Sequence, residues 1–227
     1  LVRHSMGFGA FEKVASLPAP KVLHYHNITP PEHLSSVRWM QRYATLGREQ
    51  LALWRPRVVA ALADSEYNAL ELRALGYASV ASCSLLFDIE ALVARREIMG
   101  TRPTNAPFTV LFVGRVTASK GQADLVDAFA EFRARFGRPC RLVLVGREDE
   151  GGYSTEIRRR IKAHRLEEIV TLTGLISDDD LHEWYGSADL YVSLSHHEGF
   201  GVPLVEAMAH GLPVIAWPAG EIGRAHV

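Results

Sequence analysis

Two short segments hold the residues whose types and spacing suit chemistry. The first is Gly114–Gly121, GRVTASKG, directly after the apolar run Phe108–Val113. Arg115 and Lys120 stand five residues apart in a loop of small residues. Two cations so placed can clasp a diphosphate, the arginine as a bidentate fork and the lysine as a point charge. Each charge-assisted bond contributes ~1.5–3 kcal/mol net. The order Lys120-Gly121 departs from the GxxxxGK[ST] phosphate loop, where glycine precedes lysine. The second segment is Ser195–Gly211, SHHEGFGVPLVEAMAHG. Gly199 and Gly201 let backbone amides approach a ligand closely. Pro203 suits a first helical turn. That helix start offers free N–H groups and partial positive charge to a phosphate. Glu198 precedes the loop and Glu206 lies one turn into the helix, with seven residues between them. The Glu206 carboxylate can accept two hydrogen bonds from a diol such as a ribose. Each segment also has a plain structural reading. One is a surface loop ending in a helix-start lysine; the other is a glycine-rich strand–helix turn with one capping and one solvated glutamate.

Secondary structure must bring these segments into position. Lys21–His26 (KVLHYH) predicts a strand, stopped by Asn27 and the Pro30-Pro31 pair. Leu34–Arg55 reads as a helix ended by Pro56, with Trp39, Tyr43, Leu46 and Leu53 expected on one face. Val58–Ala63 predicts a strand covered on both faces. Ser65 is the expected cap of a helix over Glu66–Leu75, closed by Gly76. Val80–Leu86 reads as a further strand. Residues 88–107 carry Gly100, Pro103, Asn105 and Pro107 and no strong apolar face after Val93, which predicts a domain boundary near residue 104. The expected domains are therefore 1–103 and 104–227. Beyond the boundary, strands are expected at Phe108–Val113, Arg141–Val145, Ile169–Leu172, Leu190–Leu194 and Pro213–Ala216. Helices are expected between them at Lys120–Phe136, Ser154–His164, Asp178–Tyr185 and Pro203–His210. This alternation predicts an α/β fold with a parallel sheet and right-handed crossovers. Ligands bind such sheets at the carboxyl ends of the strands, where both segments begin.

Composition narrows the class. Of 227 residues, 48% are hydrophobic and 22% charged, close to the soluble globular average, which excludes disordered, collagen-like and coiled-coil chains. No run approaches the ~20 apolar residues of a membrane span. Leu1–Ser16 has no long apolar core and does not read as a signal peptide. A net charge of −1 does not suggest a nucleic-acid protein. The two cysteines, Cys83 and Cys140, form no CxxC, so no disulfide framework or cysteine-rich zinc site is expected.

The blocks GRVTASKG, LVLVG and TGLISDDDLHEWYGSADLYVSLSHHEGFGVPLVEAMAHGLPVIA, in this order over residues 108–217, resemble family 4 of the retaining glycosyltransferases. HYHNITPPEHL, GREQL and ADSEYNALEL are similar, less specifically, to the acceptor-side domain of bacterial polysaccharide-building members. The resemblance implies a GT-B-like fold: two Rossmann-like parallel-sheet domains facing a cleft, both incomplete here. It implies transfer of a sugar from a nucleotide-diphosphate sugar to a glycan or lipid-linked acceptor, with retention and without a metal or other cofactor. Arg115 and Lys120 match the pair that binds the donor diphosphate, next to Gly114. Glu198 matches the carboxylate beside the transferred sugar and Glu206 the one that holds the ribose. Gly199, Phe200, Gly201 and Val202 match the loop whose amides meet the diphosphate, and Leu175 and Ile176 the region near the base. His26 matches a histidine facing the donor sugar; His24, on the same face of the strand, competes for that role. The implied location is cytoplasmic, at the inner face of the membrane.

Other residues have competing readings. Asp178-Asp179-Asp180 contains a DxD, which metal-dependent glycosyltransferases use, but helix capping explains it better. His196 and His197 are adjacent and point opposite ways in extended chain, so at most one enters a site. Arg158-Arg159-Arg160 reads as a solvated helix face. Arg38, Arg42, Arg48 and Arg55, interleaved with aromatics, suit peripheral contact with an anionic membrane as well as an ordinary exposed face. Against the family pattern, both ends read as truncated, and Glu221–Val227 (EIGRAHV) reads as a non-native tail. An alternative function is a non-catalytic nucleotide-sugar-binding fragment. A dinucleotide oxidoreductase ranks low: Gly7-Phe8-Gly9 lacks the third glycine of GxGxxG, and no preceding strand is expected.

Overall fold

The computed structural model describes residues 1–34, 37–98, 105–148, 152–220 and 222. The chain forms two compact units. The first comprises Leu1–Leu86, His197–Phe200 and Pro218–Val227; the second comprises Phe87–His196 and Gly201–Trp217.

In the first unit the elements run β1 (Val2–His4), α1 (Phe11–Ala15), β2 (Val22–Tyr25), α2 (Arg38–Trp54), β3 (Ala60–Ala63), α3 (Glu66–Ala74) and β4 (Val80–Ser82). The strands form one parallel sheet in sequence order. Leu23, Tyr25, Ala61 and Ala63 pack with Phe11, Leu51, Trp54 and Leu72 as its core. Ser65 caps α3, its hydroxyl accepting from the Asn68 amide at 3.1 Å. Four expectations fail here. Val58–Ala63 is not covered on both faces: β3 begins at Ala60, its burial alternates, and Val59 is 64% exposed. A strand, β1, does precede Gly7-Phe8-Gly9; three residues are too few for a periodicity to register. Val80–Leu86 pairs only as far as Ser82, and Leu86 is fully exposed. The buried face of α2 carries Ala44, Gly47, Gln50, Leu51 and Trp54, whereas Trp39, Tyr43 and Leu53 are exposed. Two helical stripes compete in this helix. The one with the small residues wins because α2 lies against the Gly7 backbone, where a Cβ on Gly47 would sit 2.6 Å from the Gly7 nitrogen.

The second unit opens with α4 (Ile89–Ile98), a helix the sequence reading omitted. Ile89 and Val93 are exposed, so it presents little apolar periodicity. There follow β5 (Phe108–Val113), α5 (Gln122–Phe136), β6 (Cys140–Val145), α6 (Tyr153–Ala163), β7 (Val170–Gly174), α7 (Asp178–Ser187), β8 (Leu190–Ser193), α8 (Val202–Ala209) and β9 (Val214–Ala216). The sheet is parallel, in the order β7-β6-β5-β8-β9. Its order turns at β5, so the carboxyl ends of β5 and its neighbours are where a crevice is expected. Val110, Phe112, Leu142 and Leu144 bury against Leu125, Val126, Phe129, Ile157 and Ile161. Arg158, Arg159 and Arg160 lie along α6 in ion pairs with Glu148, Glu156, Asp124 and Asp127. Both cysteines are free thiols.

Candidate functional site

In the second unit three parallel strands each end at a glycine of positive φ: Gly114 (+158°) after β5, Gly146 (+149°) after β6 and Gly174 (+70°) closing β7. At Gly146 the need for glycine is steric, since a Cβ would lie 1.9 Å from the Gly114 carbonyl oxygen. The strand ends therefore draw together and leave a cavity of about 330 Å³ above them. Gly114, Arg115, Leu175 and Ile176 line it, as do Gly146, Arg147 and Leu181. The first four are sequence-predicted. Leu175, 79% exposed, is an uncovered apolar side chain in this lining. The guanidinium-bearing Arg115 is exposed and Lys120 half-buried.

Lys120 ends a 3-10 turn, Ala118–Lys120, stopped by Gly121 at φ +66°. A Cβ on Gly121 would sit 2.2 Å from the Leu194 carbonyl oxygen, and the His196 amide donates to Ser119 at 2.8 Å. The GRVTASKG loop is thus fastened to the end of β8. Gln122, fully buried, anchors its other end by donating from Nε2 to the Arg115 carbonyl at 2.7 Å.

Gly201, at φ +81°, turns the chain into α8, with Val202 first and Pro203 second in the helix. Glu206 is half-buried, and burial pushes its carboxyl above the usual range. The Tyr185 hydroxyl donates to Glu206 Oε2 at 2.8 Å and pulls the other way. One carboxylate oxygen is therefore oriented by a buried phenol. Tyr185 also stacks on His210, whose Nδ1 meets the Glu206 carbonyl oxygen at 2.8 Å.

The remaining predicted residues belong to the first unit. His26 follows β2, and its Nδ1 lies 2.8 Å from Asp64 Oδ2. His24 Nε2 lies 2.9 Å from Asp64 Oδ1, so both candidate histidines share one carboxylate. Asn27 comes next, at φ +41°, and spans two partners: its Nδ2 donates to Asn68 Oδ1 and its Oδ1 accepts from His197. Glu198 is buried. Gly199 lies against Asn27, where a Cβ would be 3.3 Å from the Asn27 Cβ. Gly220, at φ +64°, covers Glu198 so closely that a Cβ there would be 2.3 Å from the Glu198 carbonyl oxygen. Phe200 is half-buried in the same unit. The adjacent His196 and His197 do part company: His196 meets Asp124 of α5 at 3.0 Å, and His197 meets Asn27.

Sequence reasoning passed over Gly146, Tyr185, Asp64 and Gly220. Only Gly146 carried a local signal, a glycine directly after a run of apolar residues, as at Gly114. The acidic run Asp178–Asp180 forms the first turn of α7, and Ser177 is its cap, accepting from the Asp180 amide at 3.1 Å. Glu221 and residues 223–227 lie outside the described residues.

Comparison with known proteins places this geometry. The family described as Glycosyl transferases group 1 matches residues 95–224, more than half of the chain. The chain belongs to that family. Mannosylfructose-phosphate synthase of Agrobacterium fabrum is 34% identical over 120 residues, 51% of this chain and 26% of that protein. GDP-mannose:cellobiosyl-diphosphopolyprenol alpha-mannosyltransferase of Xanthomonas oryzae pv. oryzae is 34% identical over 143 residues, 62% of this chain and 37% of that protein. Among solved structures, Anabaena HepE in complex with UDP and glucose superposes with a TM-score of 0.68 at 28% identity, covering 88% of this chain and 53% of HepE. Sucrose-phosphate synthase of Thermosynechococcus elongatus reaches a TM-score of 0.72, but at 23% identity it speaks to the fold alone; 96% of this chain and 55% of that one are covered. The two parallel-sheet units are thus those of a GT-B-like glycosyltransferase, and the chain spans about a quarter to a third of the curated relatives and about half of the solved ones.

Proposed function

We propose that this chain carries the nucleotide-sugar site of a retaining glycosyltransferase acting from UDP- or GDP-sugars on a glycan or lipid-linked acceptor in polysaccharide synthesis. The observation that carries the reading is the cavity at the carboxyl ends of β5, β6 and β7, which gathers Gly114, Arg115, Leu175 and Ile176. In this reading Leu175 and Ile176 flank the base and Glu206, steadied by Tyr185, accepts from the ribose hydroxyls. Arg115, Lys120 and the amides of Gly199–Val202 take the diphosphate.

The chemistry assigned to these groups is a substitution at the anomeric carbon. The bond from that carbon to the diphosphate oxygen breaks, and a bond from the acceptor hydroxyl oxygen forms on the same face. The acceptor proton leaves with the departing side. Negative charge grows on the diphosphate, where Arg115 and Lys120 stabilise it as it develops. With two cations and a helix start on that charge, the reading calls for no metal and no other cofactor. His26 and Glu198 are assigned to the sugar. Among the described residues no helix is long and apolar enough to cross a membrane. We assign the protein to the cytoplasm, with the exposed Arg38, Trp39, Arg42 and Tyr43 of α2 available for contact with the inner membrane face.

Thermal unfolding of the chain with UDP, GDP or ADP, each with EDTA, tests the reading. A ligand that binds only the folded state raises the midpoint by mass action. One diphosphate is expected to raise it by several degrees at ~100 times its Kd, equivalent to ~2.7 kcal/mol. The shift disappears in Arg115→Ala. A cooperative transition that no diphosphate moves sinks the reading.

A further inference from the structure

Pairing of β2 with β3 sets three titratable side chains side by side. Tyr25 pairs with Ala63, and the Asp64 amide continues the ladder to the Tyr25 carbonyl. On the other side, the His26 amide donates to the His4 carbonyl at 3.0 Å. Both backbones are therefore pinned where the His24, His26 and Asp64 side chains meet. An ionised carboxylate only accepts hydrogen bonds, so the ring nitrogen facing it must carry the proton in each histidine. For His26 that nitrogen is Nδ1. The lone pair of the neutral ring then lies on Nε2. That atom is buried and finds no hydrogen-bond partner among the described residues. A buried acceptor left unpaired is costly and calls for an explanation. The next residue, Asn27, is held in the left-handed region, which is uncommon outside glycine and concentrates at functional sites.

We propose that Asp64 is a positioning residue. It locks His26 in the Nδ1–H tautomer and so presents Nε2 as an acceptor for a hydroxyl of the donor sugar. His24 occupies the second carboxylate oxygen and keeps Asp64 from turning away. The inference rests on the reading above, in which His26 meets the sugar.

The same three side chains could in principle hold a cation, since their ligand atoms lie within 4.8 Å of one another. The observed N···O separations of 2.8 and 2.9 Å are hydrogen-bond lengths. A tetrahedral ion with ligands at ~2.0–2.1 Å would spread neighbouring ligand atoms to about 3.3 Å. The geometry favours protons over a metal.

The test is a long-range proton–nitrogen NMR correlation of the chain labelled with ¹⁵N-histidine, with the His26 signals assigned by their loss in His26→Gln. Wild type is expected to show Nδ1–H on His26, and Asp64→Ala to return the ring towards Nε2–H, with Asp64→Glu restoring Nδ1–H. Binding is then measured for UDP and UDP-glucose, and for GDP and GDP-mannose. Asp64→Ala is expected to weaken the sugar nucleotide about tenfold and leave the bare diphosphate within twofold. An Nε2–H tautomer in wild type overturns the proposal without any Asp64 variant needing to fold. So does an unchanged tautomer in Asp64→Ala, or equal losses for both ligand types. One equivalent of zinc retained through dialysis by wild type, and lost in Asp64→Ala, overturns it in favour of a metal centre. If neither nucleotide nor sugar nucleotide binds wild type, the transferase reading fails, and the sugar-acceptor role of Nε2 with it, while the tautomer still decides what Asp64 does.

Discussion

Burial alone would make Glu206 a reluctant anion, and its carboxyl is indeed held above the ordinary value of 4.5 by desolvation. Tyr185, itself fully buried, offsets part of this by donating to Oε2. Removing the phenol hydroxyl in Tyr185→Phe takes away a hydrogen bond to a charged group, worth ~1.5–3 kcal/mol. UDP or GDP affinity measured by calorimetry near pH 7.5 should fall at least about tenfold. The sign of the pH effect follows from the raised pKa. A carboxyl whose folded pKa lies above its unfolded one favours folding at acid pH, and that contribution is lost as pH rises through the folded value. In the unliganded chain Glu206→Gln should therefore be more stable than wild type at pH 8. The advantage should shrink as pH falls from above 4.5 to below it, in melts run across that range. The same variant should lose nucleotide binding. A variant less stable than wild type at pH 8 would show that Glu206 is comfortable as an anion.

Strands β5–β9 and helices α5–α8 of the second unit were largely legible, because these strands are short, mostly apolar runs of three to six residues and these helices bury one face. Phe108–Val113 matches residue for residue, and Ser65 caps its helix as expected. What escaped was whatever lacked a repeating pattern: β1 with three residues, and α4 with its exposed apolar side chains. The face of α2 was misjudged because two stripes satisfy the helical period. Only the tertiary neighbour at Gly7 decides between them. Strand ends give a prediction at this scale. Gly146→Ala places a methyl group 1.9 Å from the Gly114 carbonyl oxygen at a φ of +149°. The ends of β5 and β6 must separate, at a cost of ~1–3 kcal/mol or more. The melting midpoint should drop by several degrees, and added diphosphate should no longer raise it.

Each unit owns a hydrophobic core, around Leu23 and Trp54 in the first and around Leu142 and Phe129 in the second. Leu142→Ala should cost ~2–5 kcal/mol in denaturant unfolding, as expected for a fully buried leucine. It should also weaken diphosphate binding. Leu23→Ala should cost a similar amount yet weaken diphosphate binding less than Leu142→Ala does, because the cavity at Gly114, Gly146 and Gly174 is lined by the second unit and the first supplies only the Gly199 and Phe200 amides. This level of organisation was the least legible. The blocks of the candidate site could be read along the chain, but periodicity is local and cannot report that His197–Phe200 keeps company with Asn27 and Gly220. That excursion parts Glu198 from Glu206, placing the two glutamates in different units although only seven residues lie between them. For anyone building chimeras, the consequence is that sequence-contiguous cuts are unsafe. A graft of residues 105–217 onto a foreign partner would carry Glu198 along but strip it of Asn27 and Gly220. Such a hybrid should inherit the nucleotide preference of one parent. Its treatment of the sugar would depend on whether the other parent supplies an equivalent bed for the borrowed loop.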